Sequence, residues 1–412
     1  MASLRTASPG VLKKRIDVST DAPKAAADEA ASSKEGDYEF KEPDGPLTLS
    51  HHFSSLLMSG DWINTLVEFI LLATLTTAAV CMPPEKVNVA GSMTLFEVAL
   101  FYWATSLVTR VYNSYLEACY FAFPAYRTQP PHEHALKGRR DLCGRDITQL
   151  KQLVLHDRLT LFSQFVFGVA IYYLFPGYYP AKENVSDSFL VRIGKLALNH
   201  YVMSFGMYWG HRAYHVNPWL WKNLHSVHHW AKHPLSRNTY QDHWMENLIN
   251  HIAGHFSAQL LVPLDHGTFW FSHVFRILES LEKHSGISCY LNLAHQTQRW
   301  LPFAQMPHHH DWHHEGHKTC NYTFSALGGV WDCVFGTRKH GRADQFSTTP
   351  GRAGQETAFD RKLMASKTPA RKGIFDNAAA VCMPSCMFLL AVTCRVGMFG
   401  CSVGLPLWKL LL

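Results

Sequence analysis

Twenty of the 26 histidines in this 412-residue chain fall between His200 and His317. Imidazole is the commonest metal ligand among side chains, and core packing does not account for such a density. Three groups carry the pattern: His211-Arg-Ala-Tyr-His215, His225-Ser-Val-His228-His229, and His309-His310-Asp311-Trp312-His313-His314. Spacings of i,i+4 and of i,i+3,i+4 place imidazoles on one face of a helix. Each box is therefore expected on a helical face turned toward a shared site. A single HxxxH is weak evidence, but HxxHH twice with HxxxH just upstream is not. His243 and His284 are further candidates. Zinc normally takes three or four protein ligands, so this set exceeds one site and fits two metals. Neutral imidazole suits iron, zinc, copper and nickel, and these residues alone leave two zincs open.

The hydrophobic fraction is 47%, and the apolar residues are clumped. Residues 1–50 are rich in Ala, Ser, Lys, Asp and Glu; they cannot bury enough surface to offset ordering entropy and are expected to be disordered. No apolar stretch follows the initiator Met, so no cleavable secretory leader is expected; Arg5, Lys13, Lys14 and Arg15 leave a transit peptide open. Four later segments have the length and composition expected of bilayer spans: Trp62–Met82, Met93–Thr109, Leu159–Tyr179 and Phe189–Trp209. A fifth apolar region, Leu248–Phe275, is broken by Pro263, Asp265 and Gly267 and reads as two short interfacial or re-entrant helices. The basic segment Arg127–Lys151 is assigned to the cytosol by the positive-inside rule. Four spans then put everything after Trp209, and so the histidine boxes, on the same side. The expected fold is all-α: an integral-membrane bundle of four helices under a cytosolic, histidine-rich helical di-metal cap. The expected divisions are a polar segment 1–55, a membrane-embedded domain 56–340 and a tail 341–412 with an apolar segment 378–392.

Other classes are excluded. The net charge of +6 is spread out, with no basic block interleaved with aromatics, so nucleic-acid binding is not expected. Ten cysteines with no CxxC pair argue against a zinc ribbon or a disulfide framework. There is no GxSxG elbow, no HExxH and no GxGxxG after a strand, so reducing equivalents are expected from a separate protein.

The boxes resemble the fatty-acid hydroxylase and sterol desaturase superfamily over roughly residues 90–340, and within it most nearly sterol C4-methyl oxidase (methylsterol monooxygenase). Pro234, His243 and Glu246, the run Arg276-Ile-Leu-Glu-Ser-Leu-Glu-Lys-His284-Ser-Gly286, and the closing Asn321-Tyr322, Trp331-Asp332 and Phe335-Gly336-Thr337 carry the resemblance beyond the boxes. Cholesterol 25-hydroxylase-type enzymes share many of these features. Ile287 departs from the aromatic usual after His-Ser-Gly, and Gln241-Asp242 from the usual Tyr-Ala; both departures bear on the substrate wall. Beyond Arg338 nothing matches, and the apolar end reads as a weak anchor or as chain outside the fold.

The resemblance implies a multi-pass endoplasmic reticulum enzyme whose two non-haem irons use O2 to oxidise an unactivated C–H. Electrons would come from NAD(P)H through a reductase and cytochrome b5. The implied partners are the bilayer, a sterol and other sterol-demethylation enzymes. The implied ligands are His211, His215, His225, His228, His229, His284, His310, His313 and His314. His243 is placed either among them or behind them, and His309 behind them. Glu246, Glu279, Asp311 and Asp332 are candidates to orient imidazole N–H groups. Other sterol or fatty-acyl hydroxylases and desaturases share this core, and an inactive metal- or lipid-binding membrane protein is the alternative of another class.

Overall fold

A computed structural model describes residues 62–123, 126–128, 147–182, 187–231, 234–288, 291–314, 319–339 and 377–403. The expected polar segment 1–55, residues 129–146 of the basic segment Arg127–Lys151 and the tail up to 376 lie outside them. The described residues form helices and two isolated bridges, Ser92 to Pro180 and Arg127 to Ile287, with no strand among them.

Four long helices come first: α1 (Trp62–Cys81), α2 (Leu95–Ala122), α3 (Ile147–Leu174) and α4 (Phe189–Val216). Local signals fix their ends. Thr94 caps α2 in a reciprocal box: its hydroxyl accepts from the Glu97 N–H at 3.2 Å, and the Glu97 carboxylate accepts from the Thr94 N–H at 2.9 Å. α4 stops at Asn217-Pro218, where the Asn217 side chain accepts from the N–H groups of Trp219 and Leu220. α2 runs well past the expected Thr109 because its later charges are paired. Arg110 meets Glu68 of α1, and Glu117 meets Arg237 at 2.5 Å.

The expected number of membrane spans is corrected. Among the described residues only Ile63–Cys81 is long and apolar enough to cross a membrane, with a mean hydropathy of 1.7. The other three expected spans fall on α2, α3 and α4, which carry Glu97 and Arg110, Asp157 and Arg158, and Arg192, Lys195 and Arg212 respectively. Apolar side chains nevertheless face outward along all four helices, among them Phe69, Leu107, Phe162 and Leu190.

The second half is made of shorter pieces. A π-helical turn (Trp221–His225) and a 3-10 turn (His228–Trp230) follow α4. The apolar region 248–275 is broken near Pro263 and Asp265, as expected: α5 (Trp244–His251) passes through a π-helix (Ile252–Phe256) into α6 (Ser257–Leu261). The break falls at Val262–Asp265, and α7 (His266–Lys283) then starts on Asp265, whose carboxylate caps Gly267 and Thr268 and pairs with Arg192 at 2.8 Å. α8 (Leu293–Gln298), α9 (Pro307–His314) and α10 (Gly329–Val334) complete this half.

A final helix, α11 (Asn377–Val403), corrects the reading of the tail. It packs against α4, α6 and the π-helix at 252–256. Ala380 and Met383 join Tyr208, Trp209 and Phe335, while Phe388 and Ala391 join Phe256 and Leu260. The tail helix is thus part of the core.

Candidate metal centre

The imidazoles converge into two groups. His211, His215, His225, His229 and His313 form one, and His228, His284, His310 and His314 the other; within each, the ligand nitrogens all lie within 4.8 Å of one another. The groups adjoin, with the His229 and His314 rings stacked at 4.5 Å. Each HxxHH segment divides between them, which corrects the expectation of one face per box. His225 and His229 join the first group and His228 the second; His310 and His314 join the second and His313 the first. α4 supplies His211 and His215, the π and 3-10 turns the second box, the C-terminal end of α7 His284, and α9 the third box.

Second bonds fix the tautomers. The Nδ1–H of His211 donates to the Tyr322 carbonyl at 2.7 Å, that of His313 to the Cys320 carbonyl at 2.6 Å and that of His225 to the Glu246 carboxylate at 2.7 Å. In the second group His284 donates to the Ser280 carbonyl at 3.1 Å and His314 to the Ala231 carbonyl at 3.0 Å. A neutral imidazole that donates through Nδ1 presents a bare Nε2 lone pair. The Nε2 atoms converge: His215 to His211 at 3.1 Å, His225 to His215 at 2.9 Å, and His310 to His284 at 2.9 Å and to His314 at 3.2 Å. Protons shared between neighbours cannot satisfy so many converging lone pairs, whereas a cation in each group does. The residues therefore fit two imidazole-bound metals.

The electrostatics agree. Burial first, then neighbouring imidazoles, push His211, His215, His229, His284, His310 and His314 well below the ordinary histidine range, and burial holds His228 at about 4. All are neutral at physiological pH, the form that ligates.

The remaining candidates are placed as follows. His243 belongs to neither group; it caps α5, its Nδ1 accepting from the Met245 N–H at 3.2 Å, and its ring lies 4.3 Å from that of His156. His309 turns away from both, its Nε2 accepting from Arg338 at 3.0 Å. Of the acids, Glu246 orients a ligand directly. Burial, then Asp242, pushes its carboxyl well above the usual carboxylate range. Asp332 acts one step removed, accepting from the N–H groups of Tyr322 and Thr323 at 2.9 and 3.0 Å and so fixing the loop whose carbonyl holds His211. Asp311 accepts from the Thr128 hydroxyl. Glu279 accepts from Gln298 at 2.8 Å and from Arg276 at 3.3 Å, and lies 3.0 Å from His200 Nε2, away from the ligands. Ile287 is fully buried against Cys119, Tyr120 and Leu235 rather than exposed to a cavity. The sequence missed the backbone carbonyls of Ala231, Ser280, Cys320 and Tyr322, because any residue type supplies a carbonyl.

Among the described residues, whose regular structure is helical, two adjoining all-histidine groups are consistent with a di-metal site. Residues 196–337, which hold every one of these histidines, match the family described as fatty acid hydroxylase. The histidine-bearing segment is thus similar to that family over about a third of the chain. Among curated proteins, very-long-chain aldehyde decarbonylase GL1-10 of Oryza sativa subsp. japonica is 33% identical over 132 residues, 32% of this chain and 42% of that protein. Methylsterol monooxygenase 2-2 of Arabidopsis thaliana is 33% identical over 138 residues, 34% of this chain and 50% of that protein. Methylsterol monooxygenase 1-2 of the same plant is 27% identical over 147 residues, 36% and 47% of the two chains. The chain spans about half the length of the curated relatives it matches. No solved structure matches.

Proposed function

We propose that this protein is a membrane-bound non-haem di-iron oxygenase that oxidises the C4 methyl groups of 4-methyl and 4,4-dimethylsterols. The observation that carries the reading is the pair of adjoining, neutral, all-imidazole groups whose bare Nε2 atoms converge. A methyl on a sterol ring has no acidic proton, so general-base chemistry cannot open it. Two bound irons would supply, with O2, the oxidising power that this C–H requires. The chain's own residues gather nine imidazoles, fix five of them in the ligating tautomer through their Nδ1 bonds, and keep His211, His215, His228, His229, His284, His310 and His314 neutral by burial. Electrons would come from NAD(P)H through a reductase and cytochrome b5 at the endoplasmic reticulum. Attachment to the bilayer is supported by Ile63–Cys81 and by the outward apolar side chains of α1 to α4.

A second reading, removal of the terminal carbon of a very-long-chain aldehyde, is favoured by the likeness to the rice decarbonylases. The test is complementation of a yeast strain lacking its C4-methyl oxidase, with metal analysis of the purified protein. Growth and loss of 4,4-dimethylsterols are expected. Persistent 4,4-dimethylsterols with well-expressed, iron-loaded protein and a compatible reductase would reject the sterol reading.

A further inference from the structure

Beyond the ligands lies a second set of histidines that the metal groups do not use. His251 of α5, His255 of the π-helix and His273 of α7 form a column, their rings stacked at 5.4 and 4.9 Å. All three are half-buried and keep accessible surface. Tyr240, close enough to Arg276 to feel its charge, exposes 37% of its surface. The column therefore offers a ligand a row of reachable imidazoles with hydrogen-bonding nitrogens.

The column has an apolar side, where Phe269 and Phe101 pack on His273 at 4.3 and 5.2 Å. On the other side Arg276 lies close enough to His255 to act on its charge. The Arg276 guanidinium donates to the Phe324 carbonyl at 2.7 Å, and the Phe324 ring stacks on His211 at 4.3 Å. One aromatic residue therefore separates this wall from the first metal group.

The wall is polar but carries no net charge. Arg276 is matched by Glu279, and the Nδ1–H of His273 donates to the Phe269 carbonyl at 3.0 Å, leaving its Nε2 as an acceptor. A carboxylate brought here would lack an unmatched cation, and a hydrocarbon would leave the imidazoles without partners, which is costly when buried. A hydroxyl or an aldehyde oxygen suits both conditions. We propose that the His251–His255–His273 column binds the uncharged oxygen function of the lipid substrate and so sets which carbon reaches the metals. This deepens the reading as a sterol oxygenase and rests on it for the choice of the sterol hydroxyl as that oxygen.

The experiment is equilibrium binding to the metal-loaded, full-length protein in lipid nanodiscs. The probes are a 4,4-dimethylsterol with a free 3-hydroxyl, its 3-O-methyl ether and a very-long-chain aldehyde. His255→Phe and His273→Phe keep ring shape and remove the nitrogens; His255→Gln restores a hydrogen-bonding side chain. The free sterol is expected to bind about tenfold more tightly than its ether, as one buried hydrogen bond implies. Both Phe variants should lose about tenfold for the free sterol and little for the ether, at unchanged metal content, with partial recovery in His255→Gln. Equal wild-type affinity for sterol and ether, with no preference for the aldehyde, overturns the proposal, and so do Phe variants that weaken both sterols alike. Preference for the aldehyde, lost in the same variants, supports the imidazole wall and overturns the sterol reading instead.

Discussion

His225 is held by a single carboxylate, and this makes Glu246 a sensitive position. The bond from Nδ1 to Glu246 sets both the ring's orientation and the tautomer that leaves Nε2 bare. Glu246→Ala is expected to lower metal affinity by about 10–100-fold, the usual cost of losing such a support, measurable by metal competition on purified protein. His228→Ala and His313→Ala remove ligands and should cost at least as much, abolishing turnover while the protein stays in the membrane fraction. Wild-type metal loading in either variant would take that residue out of the centre. The imidazoles also predict a pH dependence for the metal-free protein. Their folded pKa values lie below the unfolded value of about 6.5, with His228 at about 4. The unfolded chain therefore binds more protons between those values, and stability must fall as pH drops through that window. The Tm of the metal-free protein should be lower at pH 5 than at pH 7.5, and an unchanged Tm would mean these histidines are not buried neutral.

At the level of elements, the sequence was most legible where a pattern repeats. The i,i+4 pairs and the continuation of α4 into His211–His215 could be read directly, since both follow from helical periodicity. The exchange of the i+3 histidine between groups was not read, although residues i+3 and i+4 lie about 100° apart around a helix and the third box splits in the same way on α9. A π-helix adds one residue to a turn and leaves no mark in composition. Its packing does leave one. A Cβ on Gly206 would lie 1.9 Å from the Ala253 carbonyl oxygen, so the π-helix at 252–256 rests directly on the α4 backbone. Gly286, in the His-Ser-Gly stretch, has φ 65°, a conformation that favours glycine. Gly206→Val should force α4 and the π-helix apart, with a destabilisation of about 1–3 kcal/mol typical of overpacking. Thermal unfolding in detergent reads it, and a Tm within a degree of wild type would contradict the backbone contact.

At the scale of the whole molecule, two sequence features change meaning. Asn321 forms an N-x-T sequon that a topology argument would use as a reporter of sidedness. It is fully buried, at φ 55°, and its side chain donates to the carbonyls of His309 and Lys339 at 2.9 and 2.7 Å. The folded protein should therefore carry no glycan there on either side of a membrane. The tail changes more. α11 covers Tyr208 and Trp209 on α4, one turn before His211, and Phe256 on the π-helix, next to His255. A helix added only as an anchor would leave the rest of the protein unaffected when removed. Because α11 instead buries Ala380, Met387 and Ala391 against the helices that carry the metal groups, truncation after residue 376 should uncover those aromatics and loosen α4. The truncated protein is expected to melt several degrees lower and to release metal to a chelator faster than the full chain. Equal melting and equal release rates in the same detergent would return this helix to the status of an appendage.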